Sequence, residues 1–597
     1  MQVSMAQIRV KSGDIEGNLS RILGALEEVP ESTGAVLFPE MCISGYNVGC
    51  LFEYEQFIQD CTNAVERVAQ ATKAIRENLI VVVGAPRFAN NPMDDQGNVR
   101  LHNSAFVIKG GQVIHIYDKH ILANDYHHED RKYFVPGTTS PIVPGHPLAV
   151  LICEDIWHKE TLESLTDNIR SAELNGQPRV SELLVLNFSY YCADKLPARH
   201  SNAQLIATNA GVNVYYCNAI GLGDISKNIL VYDGASFVAY SDEGRLDAPR
   251  YTSGVYHSGN MWLAPYPSWE EETMESLVYA VRYAWEEFGL KCAQVHLSGG
   301  VDSSVVAVIA VEALGKKNVT FATNPGEHTS KTTLKLAKQV ANGLDVPLTV
   351  LPVKTMESAL NKVFAKIGNV ASITKSTISA VGRTVVGLAM TNQQFSDGKP
   401  TGILATGNHT ENYLGWCNFH DIGSIGVMQL IGDLTKTELF ALSRYINSMN
   451  ETNLIPRELI DGRVKPMAEL ADTDVDPFDY YLCSGICAEM LRARATPRQL
   501  LEQFDSKTLN PASFPGPEVY EYSRALFAST CEDVARRAQR SVYKSAQHAP
   551  VLVLSKRTRG FSARETLINH YKWSSARPTG RSASVNDQDS DKSILVV

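Results

Sequence analysis

The stretch Leu297-Ser298-Gly299-Gly300-Val301-Asp302-Ser303-Ser304 decides how the second half of this chain is read. Just before it, Cys292 to Leu297 carries Val295 and Leu297 and has the pattern of a short buried strand. Just after it, Val305, Val306, Val308, Ile309 and Leu314 supply the apolar face of a helix. A Ser/Gly turn between strand and helix gathers backbone N–H groups at a helix N-terminus, where they and the helix dipole attract phosphate oxygens. Glycine lets the backbone come close to such an anion. Asp302 is repelled by bare phosphate, so its place in this turn implies a magnesium ion between carboxylate and phosphate. A tight strand–helix turn capped by serine is the plainer reading. The full S-G-G-x-D-S-S string is more specific than that.

Working outward toward the C-terminus, strand and helix patterns alternate. Val319 to Thr323 is a strand, Leu334, Ala337, Ala341 and Leu344 make a helix face, and Leu348 to Pro352 is the next strand. Ile403-Leu404-Ala405 follows and delivers Thr406-Gly407-Asn408-His409-Thr410-Glu411. Strands joined by helices imply a parallel sheet with ligands at the strands' carboxyl ends. Toward the N-terminus, Trp269, Met274, Leu277, Val278, Val281 and Ala284 form a helix pattern. Before it lies a turn-rich stretch with Asp247-Ala248-Pro249, Ser258-Gly259 and Ala264-Pro265-Tyr266-Pro267, read as a linker over 246–268.

Residues 1–245 have their own rhythm. Strands are expected at Val3–Val10, Ala35–Phe38, Ile80–Val83, Leu101–Ile108, Val113–Tyr117, Ala149–Ile152, Leu183–Leu186, Val212–Asn218 and Ala235–Tyr240, with helices between several of them. Many are apolar throughout, as in a layered α/β sandwich. Three strand ends carry reactive groups: Glu40 in Phe38-Pro39-Glu40-Met41-Cys42, Lys119 in Tyr117-Asp118-Lys119-His120, and Cys153 in Ile152-Cys153-Glu154-Asp155. Each alone reads as a surface charge or a small core residue. Together, in this order, they make a nucleophile, a base and a cation.

Composition narrows the class. The chain has 597 residues, 44% hydrophobic and 20% charged, with a formal net charge of −10, which fits a soluble multidomain protein and argues against nucleic-acid binding. The first residues lack a basic segment before an apolar core, and no run of eighteen apolar residues suggests a membrane span. The 11 cysteines are scattered and odd in number, which suits a reducing cytoplasm. No C-x-x-C pair marks structural zinc; Cys483 and Cys487 have helical spacing and read as core. From about Ser574 the chain becomes Ser/Asp-rich and is expected to be disordered.

The Ser298–Ser304 string resembles the pyrophosphate loop of ATP pyrophosphatases, and Thr406–Glu411 resembles the T-G-N-x-S-E segment of NAD synthetases. The Glu40–Lys119–Cys153 set resembles the triad of the nitrilase, or carbon–nitrogen hydrolase, superfamily. Together the halves resemble the glutamine-dependent NAD synthetases over about residues 1–570. The resemblance implies an α/β fold: an α/β/β/α nitrilase-like sandwich over 1–245, then a Rossmann-like ATP-pyrophosphatase domain with a parallel sheet over 269–573. It implies that Cys153 attacks glutamine, Glu40 moves the protons and Lys119 stabilises the oxyanion. Tyr46, Ser189 and Lys195 match its glutamine-holding positions, and Asp130 matches a second acidic position. Ser298, Gly299, Gly300, Val301, Asp302, Ser303, Ser304, Thr406 and Lys436 would hold ATP, and Asp302 and Glu411 magnesium. Deamido-NAD is the implied acceptor, and a homo-oligomer in the cytoplasm the implied setting. Pro466-Met467-Ala468-Glu469-Leu470 and Asp476-Pro477-Phe478-Asp479-Tyr480 also fit.

Departures are concentrated where the acceptor would bind. Of the usual asparagine-x-x-alanine-arginine-x-arginine run, Thr377–Arg383 retains only Ala380 and Arg383, and Gly415–Asp421 is likewise altered. Asp125 stands where tyrosine is usual. These changes keep three alternatives open: another acid such as nicotinate mononucleotide, an amidase with a weakened synthetase domain, and an RNA-modifying pyrophosphatase. The net charge and the fused glutaminase count against the last.

Overall fold

The computed structural model describes residues 1–558 and 575, apart from 94, 96, 98, 126, 369–370, 419, 451 and 462–475. The chain divides into two units, one spanning 1–225 and 229–272, the other 226–228 and 273–597.

The first unit follows from its apolar strands. In chain order it contains β1 (Val3–Gln7), α1 (Ile15–Glu27), β2 (Ala35–Leu37), α2 (Glu55–Ile75), β3 (Ile80–Met93), β4 (Val99–Lys109), β5 (Gln112–Asp118), α3 (Asp130–Tyr133), β6 (Leu148–Ile152) and α4 (Lys159–Leu174). Then come β7 (Glu182–Asn187), α5 (Lys195–Ala210), β8 (Asn213–Asn218), β9 (Ile220–Ile225), β10 (Asn228–Asp233), β11 (Phe237–Ala239), β12 (Arg245–Asp247) and β13 (Gly254–Tyr256). One sheet has the order β13-β1-β2-β3-β4-β5, the other β12-β11-β8-β7-β6. β1, β2 and β3 pair in parallel, as do β6, β7 and β8. Strands β2, β6 and β7 are buried along their whole length, as expected for strands covered on both faces. Leu37, Val82 and Val107 of one sheet share a core with Val150, Leu184 and Tyr216 of the other. Each such side chain stabilises the fold by about 1.5–3 kcal/mol.

The turn-rich segment expected to be a linker is structured otherwise. β12 pairs with β11 and β13 with β1, both antiparallel, so two short strands within 245–256 complete the edges of the two sheets. Short strands with little alternation, bounded by glycine and proline, hid this from a periodicity reading. The strand expected at Ile80–Val83 continues through Gly84 to Met93, because its second half pairs with β4.

The second unit runs α6 (Trp269–Glu287), β14 (Cys292–His296), α7 (Val301–Leu314), β15 (Val319–Thr323), α8 (Lys331–Gly343), β16 (Leu348–Val350), α9 (Lys354–Phe364), α10 (Ser372–Ser396), β17 (Thr401–Ala405) and α11 (His409–Leu414). It continues with β18 (Met428–Gln429), α12 (Lys436–Met449), α13 (Arg457–Ile460), α14 (Tyr480–Arg492), α15 (Pro497–Ser506), α16 (Arg524–Arg540), α17 (Val542–Ser545) and β19 (Val551–Leu552). The strands lie in the order β16-β15-β14-β17-β18-β19 and pair in parallel throughout. The order changes direction at β14, so the Ser298–Ser304 loop leaves the sheet beside a topological switch point, where open α/β sheets bind ligands. Cys483 and Cys487 lie in the core packed by α14, α15 and α16, as their spacing predicts. The Pro466–Leu470 segment and the tail from 574, Ser575 excepted, fall outside the described residues.

Candidate functional site

Two polar constellations stand at strand ends, one in each unit. In the first, β2 ends two residues before Pro39, and Glu40 follows with 1% exposure. The backbone of β3 passes directly beneath: a Cβ on Gly84 would come within 2.4 Å of the Met41 nitrogen, so only glycine permits this approach. β5 ends at Asp118 and delivers Lys119, also 1% exposed. β6 ends at Ile152, and Cys153 takes a left-handed φ of 44° at the head of the following turn.

Lys119 is the centre of this group. Its Nζ lies 2.8 Å from Glu40 Oε1 and 2.8 Å from Asp130 Oδ2. Glu40 also accepts from Asn103 Nδ2 at 2.7 Å and from the Phe188 N–H at 3.0 Å. Asp130 accepts from the Tyr46 hydroxyl and from the Ala123 N–H at 3.0 Å. Burial opposes charge on Lys119, but Asp130 and Glu40 outweigh it and hold the ammonium well above the ordinary lysine range. Burial and then the Glu40 carboxylate push the Cys153 thiol well above its usual value, with Lys119 pulling the other way. The resting thiol is therefore protonated, with a carboxylate and a cation nearby.

Asp155 braces the surrounding loops. Its carboxylate accepts from Tyr117 Oη at 2.9 Å and from the N–H groups of Ile121 at 2.8 Å, Ile152 at 3.1 Å and His120 at 3.2 Å. One buried side chain thus ties the loop after Lys119 to the turn bearing Cys153. Ser189 is fixed by its N–H to Asn218 Oδ1 at 2.8 Å, while its Oγ accepts from Arg199 at 3.3 Å. Lys195 Nζ donates to the Tyr190 carbonyl at 3.3 Å and lies 4.1 Å over the Tyr190 ring. Tyr46 stacks on Phe188 at 5.7 Å.

In the second unit, Gly300 is the residue before α7 and Gly299 has a φ of +82°. A Cβ on Gly299 would meet the Thr333 carbonyl oxygen at 2.3 Å. Val301, Ser303 and Ser304 are buried under the loop. Ser303 Oγ is 3.1 Å from Ser298 Oγ, and Ser304 Oγ donates to the Gly300 carbonyl at 2.7 Å. Asp302 on the first turn of α7 accepts from Asn408 Nδ2 at 2.8 Å and from Lys436 Nζ at 2.6 Å. The same ammonium donates to Glu411 Oε1 at 3.1 Å. Asn408 also caps α11, accepting from the Glu411 N–H at 3.0 Å. Lys436 opens α12, where Thr435 and Glu438 form a capping box. Burial raises the Glu411 carboxyl to about 7, the Lys436 ammonium opposing and Asp302 adding to it.

The structure therefore brings together Asp302, Glu411 and Lys436, with Ser298 bonded to Ser303 within the same loop as Asp302. Thr406 is on the adjoining loop, where its N–H donates to the Gly423 carbonyl at 3.0 Å. Lys436 faces carboxylates in this structure, where a phosphate contact was expected. Arg383, on α10, approaches Asp421 at 3.6 Å. Thr384 Oγ1 donates to the His420 carbonyl at 2.5 Å. The two segments that depart from the family pattern thus meet each other. Asn103, Asp155 and Asn408 escaped the sequence reading. Asp155 and Asn408 stood inside quoted motifs; Asn103 had only its place on a buried strand face as a signal.

Two family profiles divide the chain as these sites do: carbon–nitrogen hydrolase matches residues 2–170 and NAD synthase matches 273–484. The chain is 30% identical to the glutamine-dependent NAD(+) synthetase of Xylella fastidiosa over 510 residues, covering 81% of this chain and 86% of that one. The chain belongs to the glutamine-dependent NAD(+) synthetase family. The Thermotoga maritima synthetase is 27% identical over 623 residues, covering 96% of this chain and 99% of that one. Among solved structures, the glutamine-dependent NAD(+) synthetase of Cytophaga hutchinsonii shares the fold with a TM-score of 0.76 at 17% identity, covering 95% of this chain and 98% of that one. That of Acinetobacter baumannii, solved with adenosine diphosphate, gives 0.68 at 24% identity, covering 94% and 97%. In this synthetase the hydrolase profile contains Glu40, Lys119, Asp130 and Cys153, and the synthase profile contains Ser298–Ser304, Thr406–Glu411 and Lys436. No helix among the described residues is long and apolar enough to cross a membrane.

Proposed function

We propose that this chain hydrolyses glutamine to ammonia in its first unit and, in its second, uses ATP to amidate deamido-NAD to NAD, releasing AMP and pyrophosphate. The observation that carries this reading is the presence in one chain of both constellations, the Lys119 ammonium between Glu40 and Asp130 near Cys153, and the Asp302–Glu411 pair beside a glycine-rich strand–helix loop. The full-length relatives bear the name of this enzyme, which favours deamido-NAD over other acids as the acceptor.

In the first unit, Glu40 takes the proton of Cys153 as the thiol attacks the side-chain carbonyl of glutamine, then returns it to the departing ammonia. Lys119, held charged by Asp130, stabilises the oxyanion. Water, activated by Glu40, releases glutamate from the thioester. Tyr46, Ser189 and Lys195 orient the amino acid.

In the second unit, the loop Ser298–Ser304 presents N–H groups and hydroxyls to the phosphates, with Thr406 beside the nucleotide and Lys436 as the cation. Attack of the acid's carboxylate on the α-phosphorus gives an acyl adenylate and pyrophosphate; ammonia then displaces AMP. Arg383 is the residue proposed to contact the acceptor. Asp302 and Glu411 converge on one ammonium, a donor arrangement that suits a hard cation. They would hold magnesium with phosphate oxygens completing its ligands, and its charge would offset that on the phosphates. A cytoplasmic, homo-oligomeric enzyme acting on small molecules completes the reading; the cysteines are all free thiols.

The test is NAD formation from glutamine, ATP, magnesium and deamido-NAD. Cys153→Ala abolishes it with glutamine and leaves it with ammonium chloride. Glutamine hydrolysis without NAD would overturn the assignment of the acceptor.

A further inference from the structure

The second unit holds a cysteine, a histidine and a lysine that the reaction described above does not use. Lys544 of α17 and His548 are four residues apart, and the His548 N–H donates to the Lys544 carbonyl at 3.3 Å, so one helical turn carries both side chains on one face. His548 Nε2 lies 3.1 Å from Cys417 Sγ. Lys544 Nζ donates to the carbonyls of Gly415 at 2.9 Å and Cys417 at 3.2 Å. His548 and Lys544 are buried, while Cys417 is a thiol with part of its surface exposed. Burial lowers the affinity of Lys544 for its proton, and the Cys417 sulfur opposes this. Tyr543 faces the same sulfur, which adds to the effect of burial in raising its hydroxyl. An imidazole at this distance can take the thiol proton, and a buried ammonium favours the thiolate that results.

We propose that Cys417 is a modification site, where exchange with a small disulfide forms a mixed disulfide and slows amidation in the second unit. As the Cys417 sulfur attacks, its proton passes to His548 Nε2. A new S–S bond forms to one sulfur of the disulfide, and the original S–S bond breaks. The departing sulfur keeps the electron pair, takes a proton and leaves as a thiol; it is reduced and the Cys417 sulfur is oxidised. Excess thiol reverses the exchange. The surroundings of Cys417 link it to the synthetase residues. Gly415 has a φ of +66°, and a Cβ there would come within 2.4 Å of Ser541 Cβ, so this backbone packs tightly against the residue before α17. The Trp416 N–H donates to the Glu411 carbonyl at 2.8 Å, and its indole N–H to Asp476 Oδ1 at 2.9 Å. Farther along the same segment, Asp421 approaches Arg383. A bulky adduct on Cys417 therefore displaces a segment held at one end by Glu411 and at the other by Arg383. The exchange stands on the Cys417–His548–Lys544 geometry; its effect on amidation rests on the synthetase reading.

The test treats the full-length protein with glutathione disulfide at neutral pH, maps the adducts by peptide mass, and follows NAD synthesis driven by ammonium, which bypasses Cys153. Cys417 is expected to react about tenfold faster than the exposed Cys50, an ordinary surface thiol that serves as the internal standard. NAD synthesis falls in step with the Cys417 adduct, and dithiothreitol restores it. Cys417→Ser removes the sensitivity. His548→Gln keeps the thiol and slows its modification by about tenfold. If Cys417 of the unaltered protein reacts no faster than Cys50, the proposal is overturned, a result that needs no variant to fold. If Cys417 is fully modified and NAD synthesis continues at the untreated rate, the control of amidation is overturned. If the untreated protein makes no NAD, the synthetase reading fails and takes the effect on amidation with it, while rapid exchange at Cys417, read by mass, still supports the modification site.

Discussion

Lys436 Nζ lies 2.6 Å from Asp302 Oδ2, joining the first turn of α12 to the first turn of α7 across 134 residues of chain. Glu411 shares the same ammonium. Two carboxylates beside the Ser298–Ser304 loop repel each other unless a cation lies between them, and Lys436 supplies one.

Lys436→Met is therefore expected to abolish ammonium-dependent NAD synthesis while glutamine hydrolysis continues. Leaving two half-buried acids beside each other without their shared cation is expected to destabilise the second unit. Urea unfolding followed in the second unit would show the loss, and an unchanged midpoint would argue that the ion pair is an incidental contact.

Gly299→Ala tests the loop by shape alone. A Cβ would lie 2.3 Å from the Thr333 carbonyl oxygen at a φ of +82°, so the loop must move. The expected result is a rise in KM for ATP of more than about tenfold, because a shift of an ångström in a positioning loop costs that much or more. Ammonia release from glutamine should match that of the unaltered protein.

Removal of charge at the first site is expected to be severe. Lys119→Met leaves Glu40 and Asp130 buried without their cation, with a stability cost of about 3–5 kcal/mol. Glutamine hydrolysis should fall by about 100- to 1,000-fold through loss of oxyanion stabilisation, which a coupled glutamate assay reads directly.

Acid stability should depend on Asp130. Burial alone would raise its carboxyl, but Lys119, helped by Tyr46, holds it below the ordinary carboxylate range. The unfolded chain then binds the proton more readily than the folded one. The contribution of Asp130 is complete above its unfolded pKa, about 4, and is lost as pH falls through the lower folded value. Denaturant midpoints between pH 5 and 3, taken as rough bounds of this window, should fall less steeply for Asp130→Asn than for the unaltered protein.

The Cys153 thiol, pushed up by burial and Glu40, should react slowly with iodoacetamide at neutral pH. Its rate should climb about tenfold per pH unit between roughly 7 and 9. A plateau below pH 8, with Cys153 as the alkylated residue by peptide mapping, would show a thiolate already formed at rest.

How much was legible follows the kind of signal each residue carried. Ser298–Ser304 and Thr406–Glu411 could be singled out as candidates because the residue types a phosphate site would need stand consecutively in the chain. Glu40, Lys119 and Cys153 could be singled out because each follows closely on a strand. Asn103 could not, since a single polar residue on a strand has no partner visible along the chain. The edge strands Arg245–Asp247 and Gly254–Tyr256 were hidden for a related reason. Three residues between turns have no periodicity, and only the waiting edges of β11 and β1 make them strands.

The sequence by itself determined most of the strands and helices and the family, and marked candidate residues for two chemistries, because these depend on local pattern and on side-chain type. The tertiary structure decided which charges face each other. That Lys119 stands between Glu40 and Asp130, that Asp155 ties two loops, and that Lys436 bridges Asp302 and Glu411 all depend on groups far apart in the chain. Electrostatic energy in a buried site varies with distances of a few ångströms, and those distances exist only once the sheets have assembled.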